Sequence, residues 1–83
     1  MIITVRYFAS VREAMGCSSE SLPTQAATLA ALRDELVARG GAGAQALAPG
    51  RAVRMALDQV MADDTTPLRD GCEVAFFPPV TGG

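Results

Sequence analysis

The chain contains no histidine, no lysine and no tryptophan, and only two cysteines. Each absence removes a class of chemistry. Without histidine no Ser–His or Cys–His pair can activate a nucleophile. Two cysteines far apart in sequence, Cys17 and Cys72, fall short of the roughly four close ligands of a zinc site. All seven basic residues are arginine and none forms a run, so no clustered basic stretch is available to neutralise nucleic-acid phosphates. No apolar run reaches the ~18 residues that cross a membrane. The start, Met1-Ile2-Ile3-Thr4-Val5-Arg6, lacks the basic-then-apolar pattern of a secretory signal. A cytoplasmic protein is expected, with both thiols free. Glycine is present, but Gly40-Gly41-Ala42-Gly43 follows a helical stretch and has no lysine, so it is no phosphate loop. Asp63-Asp64 reads as a solvated loop pair ahead of a cation site. An enzyme working alone is not expected.

What remains is a chain of 83 residues, 49% of them apolar, with a formal net charge of −2. That is one domain, burying about 60–65% of the surface its unfolded form exposes. The mild acidic balance favours solubility and suits a basic partner.

Residues 2–8 alternate, Ile3, Val5 and Tyr7 facing one way and Thr4 and Arg6 the other, which is the period of a half-buried strand. Ser10 is a candidate cap for a helical turn over Val11–Met15 that ends at Gly16. Ser18–Leu22 reads as a second strand, closed by Pro23. Thr28 caps the best helix, with Leu29, Leu32, Leu36 and Val37 along one face, Arg39 in its last turn and Gly40-Gly41 ending it. Ala44–Leu47 has the makings of one further turn. Strands are expected at Ala52–Leu57 and Cys72–Phe77, with Cys72 half buried, and the pair Val60-Met61 follows a turn at Asp58-Gln59. One amphipathic helix between strand pairs needs an apolar sheet to cover, and the crossover it makes suits parallel pairing. The expected fold is α+β: a ubiquitin-like β-grasp, with a mixed sheet of four to five strands packed on one main helix and the first and last strands adjacent.

The domain is expected over 1–77 and an extended tail over 78–83. Pro78-Pro79 fixes two φ angles and favours an extended path, Val80 and Thr81 favour extension, and Gly82 and Gly83 offer no Cβ to collide in a narrow channel. Six extended residues reach at most about 20 Å. Such a tail can deliver a terminal carboxylate into a deep site on another protein.

Over essentially its whole length the sequence resembles the small subunit of molybdopterin synthase, the MoaD family. The most specific stretch is Asp70-Gly71-Cys72-Glu73-Val74-Ala75-Phe76-Phe77-Pro78-Pro79-Val80-Thr81-Gly82-Gly83, supported by Tyr7-Phe8-Ala9, Val11-Arg12-Glu13, Thr28 to Arg33 and Ala56-Leu57-Asp58-Gln59. The resemblance implies a sulfur carrier. An ATP-dependent adenylating enzyme would activate the Gly83 carboxylate, and a sulfur donor would convert it to a thiocarboxylate. The tip would then donate sulfur to cyclic pyranopterin monophosphate inside a two-plus-two complex with the synthase large subunit. No cofactor would be bound permanently, ATP being used by the activating partner. The family's docking surface maps onto Phe77 and Met61, with Arg12 as a polar contributor; Met61 reads equally well as core filling. Phe76 and Phe77 are strand neighbours, so one is core and the other exposed or covered. Asp58, where relatives often have asparagine, Cys72, where an acidic residue is common, and the Gly/Ala-rich stretch 40–48 depart from the family pattern. Three other readings stay open: a thiamine-pathway sulfur carrier, a ubiquitin-like modifier joined to lysines of target proteins, and a purely noncovalent interaction domain.

Overall fold

The computed structural model describes residues 1–79. Eight elements follow in order: β1 (Ile2–Tyr7), α1 (Ala9–Met15), β2 (Ser19–Pro23), α2 (Leu29–Ala38), α3 (Gly41–Ala46), β3 (Arg54–Leu57), β4 (Val60–Ala62) and β5 (Glu73–Phe77). The strands form one sheet in the order β2-β1-β5-β3-β4. β1 and β5 are parallel neighbours at its centre, and the other pairings are antiparallel. The chain therefore has the expected β-grasp, with five strands.

Alternation in β1 gives the sheet its two faces. Ile3, Val5 and Tyr7 are buried while Ile2, Thr4 and Arg6 are exposed. The same pleat buries Val74 and Phe76 of β5 and Met55 of β3. Leu29, Leu32 and Leu36 of α2 close over that face, and Leu47 after α3 completes the cluster. The Tyr7 and Phe76 rings stack at 6.3 Å across the parallel pair. Thr28 caps α2 as expected, its hydroxyl accepting from the Ala31 amide at 3.2 Å.

Several local expectations are corrected. Ser10 does not cap α1: the N-cap is Phe8, extended and without a side-chain bond, and Ser10 lies inside the helix. The turn is made by Ala9 at φ +50, and the amides of Val11 and Arg12 return to the Phe8 carbonyl at 3.1 and 3.3 Å. Gly16 ends α1 in the left-handed conformation, as its position suggested. Cys72 is buried, not half buried, because it packs in the core just before β5 begins. Arg39 is the C-cap of α2, and its guanidinium turns to Glu20 of β2 at 3.1 Å. β3 starts at Arg54, two residues later than Ala52. The Gly/Ala stretch forms the whole of α3, more than the single turn expected. No helix among the described residues is long and apolar enough to cross a membrane.

Candidate functional site: the root of the C-terminal tail

β5 sits third in a five-stranded sheet, so the chain leaves from the middle and not from an edge. The last rung pairs Phe77 with Arg54 of β3, while on the other side the Phe8 amide donates to the Phe76 carbonyl at 3.1 Å. Pro78 and Pro79 have no amide proton, so the ladder cannot continue past Phe77. Both prolines are half buried. A central strand held on both sides thus ends abruptly in a stiff dipeptide, and the direction in which the tail starts is set by the sheet. Val80, Thr81, Gly82 and Gly83 lie outside the described residues.

The start of β5 is anchored as firmly. Asp58 and Gln59, both at positive φ, make the two-residue turn between β3 and β4, as type I′ hairpins require. The Asp58 carboxylate then reaches across to β5, accepting from the Glu73 amide at 2.9 Å and from Arg69 at 2.9 Å. That amide bond first, and the Arg69 guanidinium after it, hold the Asp58 carboxyl below the usual carboxylate range. On the far side the Ile2 amide donates to Asp70 at 2.8 Å. The registers of β1 and β3 against β5 are therefore pinned at the end opposite the tail.

The helix-free face of the sheet carries two of the expected interface residues. Phe77 shares that face with Ala75, while Phe76 is fully buried in the core. Met61 pairs with Ala56, which pairs with Ala75, so Met61 lies on the same face two strands away, about 10 Å across. It is 59% exposed, which rules out core filling. Ala56 and Ala75 form a low floor between the two larger side chains. Arg12 is not on this face; it is exposed on α1, which packs beside the tail root instead.

Asp63 is occupied locally: one carboxylate oxygen accepts from the Thr65 hydroxyl and amide, at 2.7 and 3.0 Å, and from the Thr66 hydroxyl at 3.3 Å. Among the described residues no three His, Cys, Asp or Glu side chains converge as a metal site.

Two polar networks were not foreseen from the sequence. Arg33 lies off the apolar stripe of α2 and donates to the carbonyls of Leu47, Ala48 and Arg51 at 2.7, 2.9 and 2.9 Å. It thereby fixes the loop that leads into β3. Tyr7 donates its hydroxyl to Glu20 at 2.8 Å, and Arg39 meets the same carboxylate. Burial first, and then this bond to an anion, push the Tyr7 phenol well above its ordinary range. Desolvation works to raise Glu20, but the bonds from Arg39 and Tyr7 outweigh it and hold the carboxyl below its usual value. Only the polar tips, Glu20 and Arg39 in an otherwise amphipathic pattern, could have signalled this network.

A mixed five-stranded sheet with parallel β1 and β5 at its centre, covered by α2, defines a ubiquitin-like β-grasp protein. The chain belongs to the ThiS family, whose model matches residues 5–83, and within it to the molybdopterin synthase small-subunit group. It is 42% identical over 82 residues to the molybdopterin synthase sulfur carrier subunit of Escherichia coli (strain K12), covering 99% of this chain and all of that one. It is similar over the full length of both chains to a subunit in the complex of subunits 1 and 2 of the molybdopterin-converting factor from Helicobacter pylori, at 30% identity and a TM-score of 0.68. The fold alone is shared with SAMP1 from Haloferax volcanii, at 22% identity and a TM-score of 0.77, again over all of both chains.

Proposed function

We propose that this protein is the sulfur carrier of a molybdopterin synthase, working through the carboxyl group of Gly83. The observation that carries the reading is the emergence of Pro78-Pro79, followed in sequence by Val80-Thr81-Gly82-Gly83, from the centre of the sheet. The full-length likeness to a sulfur carrier subunit supports it.

The chemistry follows from the acyl group. A carboxylate is a poor electrophile. Attack of its oxygen on the α-phosphate of ATP, in the active site of an adenylating partner, releases pyrophosphate and leaves an acyl-adenylate. A sulfide-level donor then adds to the acyl carbon and expels AMP, giving a thiocarboxylate. Glycine presents the least hindered acyl carbon to both attacks. The thiocarboxylate sulfur is a soft nucleophile that adds to carbon of cyclic pyranopterin monophosphate, and water cleaves the acyl–sulfur bond to return the carboxylate. ATP is consumed by the partner, and this chain holds no cofactor of its own.

The division of labour suits the geometry. Residues 1–77 are the handle and 78–83 the working arm. Phe77 and Met61, on the helix-free face, are the anchors for the large subunit, as a half-buried aromatic and an exposed, flexible thioether commonly are at interfaces. The matching complex from Helicobacter pylori supports the large subunit as the partner, and we assign the assembly two copies of each. The remaining machinery belongs to the partners, which fits a cytoplasmic carrier passed between enzymes.

Reconstitution tests the reading. The thiocarboxylate form, mixed with a molybdopterin synthase large subunit and cyclic pyranopterin monophosphate, is expected to yield molybdopterin in proportion to carrier consumed. A chain ending at Gly82 is expected to yield none. Product formation by that shortened chain would refute the role given to Gly83, and lysine-linked conjugates in place of molybdopterin would identify a modifier.

A further inference from the structure

Seven arginines are the only basic side chains of the chain, and the fold divides them in two. Three have their terminal guanidinium nitrogens committed to the fold. Arg33 binds the three carbonyls of the 47–51 loop, Arg39 pairs with Glu20 and Arg69 pairs with Asp58 at 2.9 Å. The other four, Arg6, Arg12, Arg51 and Arg54, are exposed at the end of the sheet where β5 gives way to Pro78. Arg54 is the cross-strand partner of Phe77. Arg51 and Pro78 line one groove of about 360 Å³, walled by Val11 and Ala14 of α1, and Arg12 stands on that same short helix. Arg6 and Arg51 are already partly satisfied: Arg6 lies 3.8 Å from Glu73 and 5.4 Å from the Phe8 ring centroid, and the Arg51 Nε donates to the Gln45 carbonyl at 3.0 Å, which leaves its two terminal nitrogens without a described partner. Among the described residues, no ion pair involves Arg12, Arg51 or Arg54. The nearby acids are Glu13 on α1 and Asp63-Asp64 at the outer edge past β4, and Asp63 is already bonded to Thr65 and Thr66. A chain of net charge −2 thus offers its tail through a basic surround.

Resting on the sulfur-carrier reading, we propose that Arg12, Arg51 and Arg54 form a basic collar that docks on an acidic rim around the opening through which the synthase large subunit takes the tail. The overall acidic balance had suggested a basic partner; the local charge points the other way. A slender tail has to enter a channel end-on, which is a demanding orientation. Charges grouped around its root favour encounters in that orientation, and a collar of this kind acts on the association rate more than on the lifetime of the complex. Guanidinium groups also suit bidentate pairing with carboxylates.

The test is the association rate with the large subunit, measured by stopped flow from about 20 to 500 mM salt, a range over which the Debye length shrinks several-fold. The wild-type rate is expected to fall steeply with salt. R51Q/R54Q is expected to associate about 10-fold more slowly at low salt and to lose most of the salt dependence, with the dissociation rate changed far less. R54Q alone is compared with R69Q, which removes the same charge at the opposite end; R69Q is expected within about twofold of wild type. Thermal melts confirm that each variant is folded. A salt-independent wild-type rate, or equal slowing by R54Q and R69Q, overturns the collar and leaves the sulfur-carrier reading intact. A wild-type chain that forms no complex with the large subunit overturns both.

Discussion

A methyl group added at Gly43 would overlap the carbonyl oxygen of Leu36. That contact lies between the backbones of α2 and α3, where no flexible side chain can yield. G43A is therefore expected to destabilise the domain by about 1–3 kcal/mol, read as a lower urea midpoint with an unchanged slope. A wild-type midpoint would show that the two helices separate more easily than their packing implies. Tyr7, Glu20 and Arg39 make the second residue-scale case, because their bonds are states of charge. Glu20 titrates below its ordinary value, so its contribution is complete above about pH 4.5 and is lost as pH falls through the depressed value. The pair with Arg39 is partly exposed, which keeps that contribution under about 1 kcal/mol. Tyr7 titrates above its ordinary value, so its contribution is complete below about pH 10 and fades as pH rises beyond it. Urea midpoints measured against pH are expected to fall less on the acid side for E20Q, and less on the alkaline side for Y7F, than for the wild type. Parallel profiles for wild type and variants would contradict this network.

At the scale of elements, the β3–β4 hairpin carries a residual strain. Asp58 and Gln59 hold φ values of +49 and +69, which glycine or asparagine adopts with less cost than a longer side chain. Asp58 repays its conformation by bonding Glu73 and Arg69; the side chain of Gln59 has no described hydrogen bond. Q59G is expected to stabilise the domain by about 0.5–1 kcal/mol in the same denaturation experiment, and a loss of stability would mean that the glutamine side chain matters. The turn itself was legible in the sequence, and so were β1, β5 and α2, because Ile3, Val5 and Tyr7 alternate and Leu29, Leu32 and Leu36 repeat at helical spacing behind the Thr28 cap. The misreadings share one cause. Ser10 is a better intrinsic cap than Phe8, but the tie from the Phe8 amide to Phe76 fixes where the chain must turn, two residues earlier. Likewise the two glycines of Gly41 to Ala46 weaken its helix propensity, and α3 forms because Gly43 lets it lie close on α2 while Leu47 enters the core. Local preference yielded to tertiary contact in both places. Arg33 was hidden for a related reason: its partners are backbone carbonyls, which leave no mark in a sequence.

For the molecule as a whole, the residues of the tail stand in the sequence, and their setting in the fold does not. The tail, with Gly82 and Gly83, could be read directly, as could the prospect that Phe76 and Phe77 would part to opposite faces. That Met61 would be exposed on the same face as Phe77, and that Arg51 and Arg54 would gather at the tail root, depends on the order β1-β5-β3-β4, which no local pattern specifies. The fold's contribution to function is directional. Asp58 and Asp70 fix β5 at one end, the paired strands hold it along its length, and Pro78 releases the chain at the other. The central claim is that this end is an activatable acyl group. It is tested most directly by the intact mass of the chain after incubation with a molybdopterin-pathway adenylating enzyme, ATP and sulfide. The account predicts a gain equal to one oxygen exchanged for one sulfur in the full chain, and no gain in a chain lacking Gly83. An unchanged mass, beside an enzyme that converts the Escherichia coli carrier under the same conditions, would contradict it.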